Sequence, residues 1–173
     1  MILASGSPPG MEKAGSTSGE ESMAEAELVT IKEVYLKTDR STGNMVILKE
    51  REDEKRYFMM FVGDSEFAAI AKEKGLMEPK RPLTHEVYLR ILESLPVEFV
   101  RVEIHDMKEN TYFANVFFRV NGTDFVIDSR PSDAVALALN RKIPLLVHPR
   151  LFRRELSPDE VKEYEQICKS VKF

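Results

Sequence analysis

The stretch DSRPSDAVALAL, residues 128–139, is the segment from which the fold can be predicted most directly. Its alanine-rich apolar run predicts a buried helix that follows a strand. Pro131 fixes the direction of the chain just before that helix. Ser132 is the predicted N-cap, and Asp133 complements the partial positive charge at the start of the helix.

The arginine at this helix start needs an explanation, because the N-terminal end of a helix favours anions over cations. Arg130 would be favourable there if its guanidinium paired with a carboxylate, and Asp128 and Asp133 are close to it in the sequence. It would also be favourable if the helix start received an anion such as phosphate, which backbone N–H groups bind well. The sequence leaves both interpretations open.

The segment RPLTH, residues 81–85, has the same order of arginine, proline and hydroxyl before a second predicted helix. Thr84 is its predicted N-cap, and His85 lies in its first turn as a candidate acid or base. A plain surface position is the alternative interpretation of this histidine. Apolar residues recur on one face of the helix and predict that this face packs on the core: Val87, Ile91, Leu92 and Leu95.

Two groups of short strands are predicted, and each is followed by a helix. The alternating segments 28–37, 45–50 and 55–62 form the first group, and 97–106, 111–120 and 123–128 form the second. The dipeptide Asn121-Gly122 predicts a hairpin turn in the second group. The fold class is therefore α+β, with two mainly antiparallel strand groups. Because residues 58–71 and 125–138 align without gaps, an internal duplication is a further prediction.

The length of 173 residues fits one domain, and the formal net charge of -4 argues against coating nucleic acid through overall charge. We expect a disordered tail at 1–24, the domain at 25–152 and a charged helical extension at 153–173. With one cysteine, no signal sequence and no membrane-length apolar run, we expect a cytoplasmic protein without membrane contact. The charged fraction of 31% is typical of thermophiles.

Three acids near the two strand-to-helix turns are candidate metal ligands. Glu66 lies at the start of one helix, and Asp128 and Asp133 flank the start of the other, so a duplicated fold would bring them together. Hard cations such as Mg²⁺ and Mn²⁺ prefer oxygen ligands of this kind. The chain has no sharp metal motif, so a purely structural role for each acid is the alternative.

Three segments resemble the bifunctional nuclease domain family, formerly a domain of unknown function. They are residues 81–95, 100–120 and 127–147, and their most specific parts are RPLTH and DSRPSDAVALA. The resemblance extends from about residue 28 to residue 147. In place of the tryptophan-containing strand of the family this chain has residues 58–63, whereas the family's acid is kept at Glu66.

The resemblance implies a nuclease that hydrolyses phosphodiester bonds of DNA and RNA, which are then its expected partners. On this hypothesis the catalytic candidates are Arg130, Asp133 and His85. The candidates for phosphate binding are Arg81, Thr84 and Ser132. The candidates for holding Mg²⁺ or Mn²⁺ are Asp128, Asp133 and Glu66. The alternatives are a non-catalytic module that binds a phosphate ligand or nucleic acid, and an oligomeric scaffold; a homo-oligomer is expected.

Overall fold

The structure is a computed structural model that describes residues 11–13, 27–39 and 43–153. Within these ranges the strands are β1 (Met11–Lys13), β2 (Val29–Thr30), β3 (Glu33–Asp39), β4 (Gly43–Lys49), β5 (Phe58–Val62), β6 (Val97–Lys108), β7 (Thr111–Val120), β8 (Thr123–Ser129) and β9 (Leu145–Val147). The helices are α1 (Asp64–Glu73), α2 (Thr84–Leu92) and α3 (Pro131–Arg141), with a short 3₁₀ turn at Pro149–Leu151.

The strands form two sheets. The large sheet has the order β1-β8-β7-β6-β9-β2, and the small sheet has the order β3-β4-β5. In each sheet three consecutive strands make an antiparallel meander, and a helix follows the third strand: α1 after β5 and α3 after β8. The α+β class with two antiparallel strand groups is thus confirmed. The internal duplication that would explain the similarity stays a prediction.

One apolar core joins both sheets. Helix α1 packs against β4, α3 packs against β6 and β7, and the two helices pack against each other. The fully buried side chains come from every part of this arrangement, with Phe58 from the small sheet, Ile104 from the large sheet, Ile70 from α1 and Val135 from α3. Because α1 and α3 are in contact, side chains from both helices can meet.

The first predicted strand, at residues 28–37, is wrong as a single element. It is divided into β2, which pairs with β9 in the large sheet, and β3, which pairs with β4 in the small sheet. The chain changes sheet at Ile31 and Lys32. The N–H of Ile31 donates to Leu145 O at 2.8 Å, and the N–H of Lys32 donates to Lys49 O at 3.1 Å. These long-range partners leave no trace in the local alternation.

The predicted hairpin at Asn121-Gly122 is confirmed, since β7 ends and β8 begins on either side of it. The φ angles of 49° and 79° are the left-handed pair that a two-residue hairpin turn requires. Strand β6 runs two residues beyond its predicted end at residue 106. Glu109 and Asn110, with φ of 48° and 61°, make the same type of turn between β6 and β7.

Both predicted hydroxyl caps are wrong. The N-cap of α3 is Arg130, so Pro131 and Ser132 are the first two helical residues. The N-cap of α2 is Leu83, and Thr84 is already helical. Ser132 is buried at 8% exposure instead of capping the helix. A proline has a backbone angle that suits the first helical position, so α3 begins at Pro131.

The prediction that α2 turns its apolar face to the core is also wrong. Val87, Ile91 and Leu95 are 46%, 55% and 50% exposed, whereas Glu86 and Leu89 are buried. Periodicity showed that the helix is amphipathic, but a burial direction follows from periodicity only when apolar packing decides the orientation. Polar contacts from Lys72 in α1 and Arg141 in α3 hold α2 in this orientation.

Among the described residues, the short strand β1 is an element that was not predicted. Strand β1 pairs antiparallel with β8, with Met11 opposite Ile127, although it lies inside the predicted tail at 1–24. The predicted extension at 153–173, apart from Arg153, lies outside the described residues. Among the residues that the structure describes, no helix has the length and apolar character needed to cross a membrane.

Candidate active site at the helix starts

Each of the helices α1, α2 and α3 has an acid at its third position: Glu66, Glu86 and Asp133. A carboxylate there lies near the unpaired N–H groups and the positive end of the helix. Glu86 Oε2 accepts a hydrogen bond from the backbone N–H of Leu83 at 2.8 Å. The other two acids instead share a hydrogen-bond donor, Arg130.

Arg130 bridges the starts of α1 and α3. Its Nε donates to Asp133 Oδ2 at 2.6 Å, and its Nη2 donates to Asp133 Oδ1 at 3.1 Å and to Glu66 Oε1 at 2.9 Å. The pairing with Asp133 uses two nitrogens and both carboxylate oxygens, which is the strong geometry for this pair of groups. The predicted pairing of Arg130 with Asp133 is therefore confirmed, Asp128 is not a partner, and Glu66 was not anticipated as one.

Gly63 makes room for the Glu66 carboxylate. A Cβ atom at this N-cap position would lie 2.5 Å from Glu66 Oε2. Ser65 Oγ donates to the same oxygen at 3.2 Å. The backbone N–H of Glu66 itself, followed by Arg130 and Ser65, holds the pKa of the Glu66 carboxyl below its ordinary value. The carboxylate is therefore charged at neutral pH.

The guanidinium of Arg130 stays open to solvent. Its side chain is 67% exposed, compared with 47% for Asp133 and 16% for Glu66. Hydrogen bonds to Asp133 and then to Glu66 raise the pKa of Arg130 above its ordinary value. Among the described residues, the hydrogen bonds of this side chain use Nε and Nη2 but not Nη1. Nη1 is thus available to an anion.

These charged groups line a cavity of about 780 Å³. Its polar lining consists of Ser65, Glu66, Thr84, His85, Asp128, Ser129, Arg130 and Asp133. Its apolar lining consists of Ala69, Leu83, Tyr88, Leu89, Leu92, Val97, Phe99, Val116, Phe118, Ile127, Ala136 and Leu137. The volume lies in the range typical of ligand pockets, and the mixed lining is typical of sites for organic ligands.

The apolar lining continues the core face of the large sheet. Along β7, Ala114, Val116 and Phe118 share one face because strand side chains alternate. Ala114 and Val116 are buried at 0% and 4% exposure, whereas Phe118 is only partly buried. Phe99 on β6 is paired with Phe118, and their ring centroids are 6.2 Å apart. The cavity thus begins where the sheet face is no longer fully covered.

Helix α2 lines the cavity and is tied to the other helices by polar contacts. Lys72 Nζ of α1 forms an ion pair with Glu86 Oε1 at 2.9 Å. From α3, Arg141 Nη2 donates to the backbone oxygen of Leu89 at 2.8 Å, and Arg141 Nη1 lies 2.9 Å from Glu93 Oε1. These contacts hold the polar side of α2 against the molecule and leave much of its apolar side outward.

His85 lines the cavity from the first turn of α2. Its side chain is 24% exposed, and Nε2 lies 3.6 Å from Glu73 Oε1 of α1. Nε2 is buried and makes no hydrogen bond among the described residues. A protonated imidazole would form an ion pair with Glu73, so this ring contributes to the contact between α1 and α2 as well as to the cavity wall.

The cavity brings together most of the predicted site residues, namely Glu66, Thr84, His85, Asp128, Arg130 and Asp133. Arg81 is exposed in the loop before α2 and does not line the cavity, nor does the buried Ser132. In the described ranges, no three His, Cys, Asp or Glu side chains are grouped to hold a metal ion. Glu66 and Asp133 are ion-paired with Arg130, and metal ligation remains a prediction.

A known domain family matches most of the chain. The model of the bifunctional nuclease domain matches residues 46–159, which include α1, α2, α3 and the whole cavity lining. The chain belongs to the bifunctional nuclease domain family. The uncharacterized proteins MT1877 and Rv1829 of Mycobacterium tuberculosis, from strains CDC 1551 / Oshkosh and H37Rv, are each 33% identical to it over 135 residues. The match covers 77% of this chain and 80% of each relative.

Sequence reasoning missed the apolar part of this bifunctional nuclease domain site. Phe99 and Phe118 read as ordinary strand residues, and Tyr88 reads as part of an amphipathic helix. The alternation of β7 could have placed Phe118 on the core face, but only the structure shows that the face is uncovered there. The role of Gly63 beside Glu66 depends on side-chain geometry that the sequence does not show.

Proposed function

We propose that this bifunctional nuclease domain hydrolyses phosphodiester bonds at the starts of α1 and α3. The observation that supports the proposal is Arg130, an exposed guanidinium held between Glu66 and Asp133 on the lining of a ligand-sized cavity. Positioning by the two acids restricts the guanidinium, so less conformational entropy is lost when it meets a phosphate. Nη1 is the nitrogen that would donate to a phosphoryl oxygen.

The charge balance of the site favours assistance by a divalent cation. Three carboxylates, from Glu66, Asp128 and Asp133, line the cavity beside one guanidinium. An anionic phosphodiester would be repelled by the excess negative charge unless a cation compensated it. Mg²⁺ or Mn²⁺ at these carboxylates would supply that charge and activate the attacking water. Asp128, which forms no ion pair in the described part of the chain, is the acid with the most freedom to bind it.

The remaining step is proton transfer to the leaving oxygen, and His85 is the candidate acid. Because Nε2 is buried next to Glu73, Nδ1 is the nitrogen that this role would require. Thr84, the first residue of α2, lines the same cavity and is the proposed hydroxyl contact to phosphate.

The test is cleavage of end-labelled DNA and RNA by purified protein, with Mg²⁺ or Mn²⁺ and with chelator. Arg130→Ala should lower the cleavage rate by roughly 100-fold or more, the usual cost of losing one transition-state donor. Arg119→Ala is the matched control. Arg119 also bridges two acids, Asp124 at 2.7 Å and Glu98 at 3.4 Å, but it does not line the cavity.

Equal activity of the Arg130→Ala and Arg119→Ala proteins would contradict the assignment of the site. Cleavage that is unchanged by chelator would contradict the proposed role of a divalent cation.

A binding module without chemistry is the second candidate function, and the extensive apolar lining of the cavity favours it. Such a module would bind nucleic acid through Arg130 but would not cleave it, whichever divalent cation is added. The predicted homo-oligomer stays a prediction.

A further inference from the structure

The hydrolysis proposed above uses only the charged part of the cavity and leaves three aromatic residues without a role. Phe99 and Phe118 line it from β6 and β7, and Tyr88 lines it from α2. Both phenylalanines are partly buried, and Tyr88 is 63% exposed. Packing of the core does not require an exposed aromatic beside an open apolar cavity, so a ligand is a physical reason for this group.

The aromatic side chains and Arg130 together fit a ligand with an anionic part and a flat apolar part. Arg130 is the cationic group of the lining, and it has a free Nη1 edge. Strands β6 and β7 contribute Val97, Phe99, Val116 and Phe118 to the lining, none of them charged, whereas Asp128 at the end of β8 lies next to Arg130 in the chain. A phosphate would therefore stay at Arg130, while a flat ring would lie against the aromatic side chains.

We propose that the cavity is a subsite for one unpaired nucleobase of a single-stranded nucleic acid, next to the phosphate at Arg130. The nature of the ligand rests on the proposed function, because a phosphodiester at Arg130 has nucleosides on both sides. A volume of about 780 Å³ exceeds what a single base needs. Bases stack on aromatic side chains with little sequence preference. The hydroxyl of Ser129 lines the same cavity and can bond to a base edge.

The geometry favours single strands over a regular duplex. Bases in a duplex are stacked and paired, so an enzyme must unstack a base before a pocket can take it. In a single strand the base is already free to leave the stack. Binding should therefore be at least about tenfold tighter for a single strand than for a blunt duplex of the same sequence, since opening a duplex costs a few kcal/mol.

The experiment measures binding directly, so that it does not depend on turnover. Fluorescence anisotropy of a labelled oligonucleotide, single-stranded or in a blunt duplex, is recorded in Mg²⁺ and in EDTA. Phe118→Leu keeps most of the apolar volume but removes the ring, and should weaken single-strand binding roughly fivefold or more. Phe117→Leu is the control. Phe117 is adjacent on β7, faces the other side of the sheet and contacts Arg101, 3.8 Å from its ring centroid.

A second pair of variants covers the case in which Phe118→Leu unfolds. Tyr88→Ala and Phe61→Ala both remove an aromatic that is more than 60% exposed, but only Tyr88 lines the cavity. Tyr88→Ala should weaken single-strand binding, and Phe61→Ala should not. Thermal unfolding of all four variants confirms that they are folded.

The outcomes separate the two proposals. Preference for single strands that is lost in Phe118→Leu or Tyr88→Ala and kept in both controls supports the subsite, whether or not the protein cleaves. Equal binding of single strand and duplex, unchanged binding in the cavity variants, or no binding in either buffer overturns it. If cleavage depends on Arg130 but binding is unchanged in the Phe118 and Tyr88 variants, the proposed function is retained and the base subsite is contradicted.

Discussion

Helices α1 and α3 differ from α2 in what holds them to the molecule. The first two bury apolar residues such as Ile70 and Val135 completely and pack against the sheets and each other. Helix α2 buries Leu89 and the charged Glu86, while Ile91 remains 55% exposed. The three helices have similar lengths and each has an acid at its third position. Amphipathic character alone therefore does not tell which side of a helix meets the core.

The difference matters for the site. The packed pair, α1 and α3, brings Glu66 and Asp133 within reach of Arg130, and this arrangement is supported by the core. Helix α2 closes the same cavity with Tyr88 and Leu92 but depends on the side chains of Lys72 and Arg141. The charged groups thus lie on helices that pack on the core, whereas Tyr88 lies on a helix with few apolar anchors, and such elements open most readily.

The largest effect should come from an isoleucine in each kind of helix. Ile70→Ala, at a site with 0% exposure in α1, should lower the free energy of unfolding by about 2–5 kcal/mol because it leaves a core cavity. Ile91→Ala in α2 should change it by less than about 0.5 kcal/mol. Urea denaturation of both variants provides the comparison. Equal losses would mean that the apolar face of α2 is covered in solution.

A smaller effect should come from the polar attachment of α2. Arg141→Met keeps the apolar stem but loses the bonds to Leu89 O and Glu93, and should cost about 1–2 kcal/mol. Arg90→Met, at an exposed position of α2, is the control and should be neutral within about 0.5 kcal/mol. Hydrogen exchange should become faster in α2 and stay unchanged in α1. Uniform loss of protection in both helices would contradict separate attachment of α2.

Local sequence signals were sufficient for much of the fold. Alternation located most strands of the two groups and Asn121-Gly122 located a hairpin, whereas the predicted Ser132 cap placed the start of α3 two residues too late. They could not reveal partners distant in the chain. Arg130 meets Glu66 across 64 positions, and Ile31 changes sheet through a bond to Leu145. No local pattern contains either distance, and this explains why one acid partner and the first strand were missed.

The orientation of α2 was unpredictable for a related reason. The pattern Val87, Ile91 and Leu95 is typical of a core face, and it would be one if apolar burial were decisive. The opposing term comes from Lys72, in a different helix, whose ion pair places Glu86 on the buried side. Buried acids are rare unless they are paired. Glu86 can be buried because Lys72 pairs with it, and the sequence does not reveal this partner.

The smallest effect concerns two of the helix-start acids, which should share a pH dependence of stability but differ in their effect on hydrogen exchange in α2. The pKa of Glu86 is lowered by the hydrogen bond from Lys72 and then by the Leu83 backbone N–H, and that of Glu66 is lowered by its own backbone N–H and then by Arg130. For a depressed carboxyl pKa, the stabilisation is complete above the unfolded value, near 4.5, and is lost as the pH falls through the folded value. Glu86→Gln and Glu66→Gln should each therefore flatten the decline of stability below about pH 4.5.

Because Glu86 anchors α2, the Glu86→Gln protein should also show faster hydrogen exchange in α2 at pH 7, whereas Glu66→Gln should leave exchange in α2 unchanged. Unchanged exchange in α2 of the Glu86→Gln protein would mean that the attachment of α2 does not depend on the Lys72–Glu86 pair. Faster exchange in α2 of both proteins would mean that α2 is not attached independently of the charged groups at the start of α1.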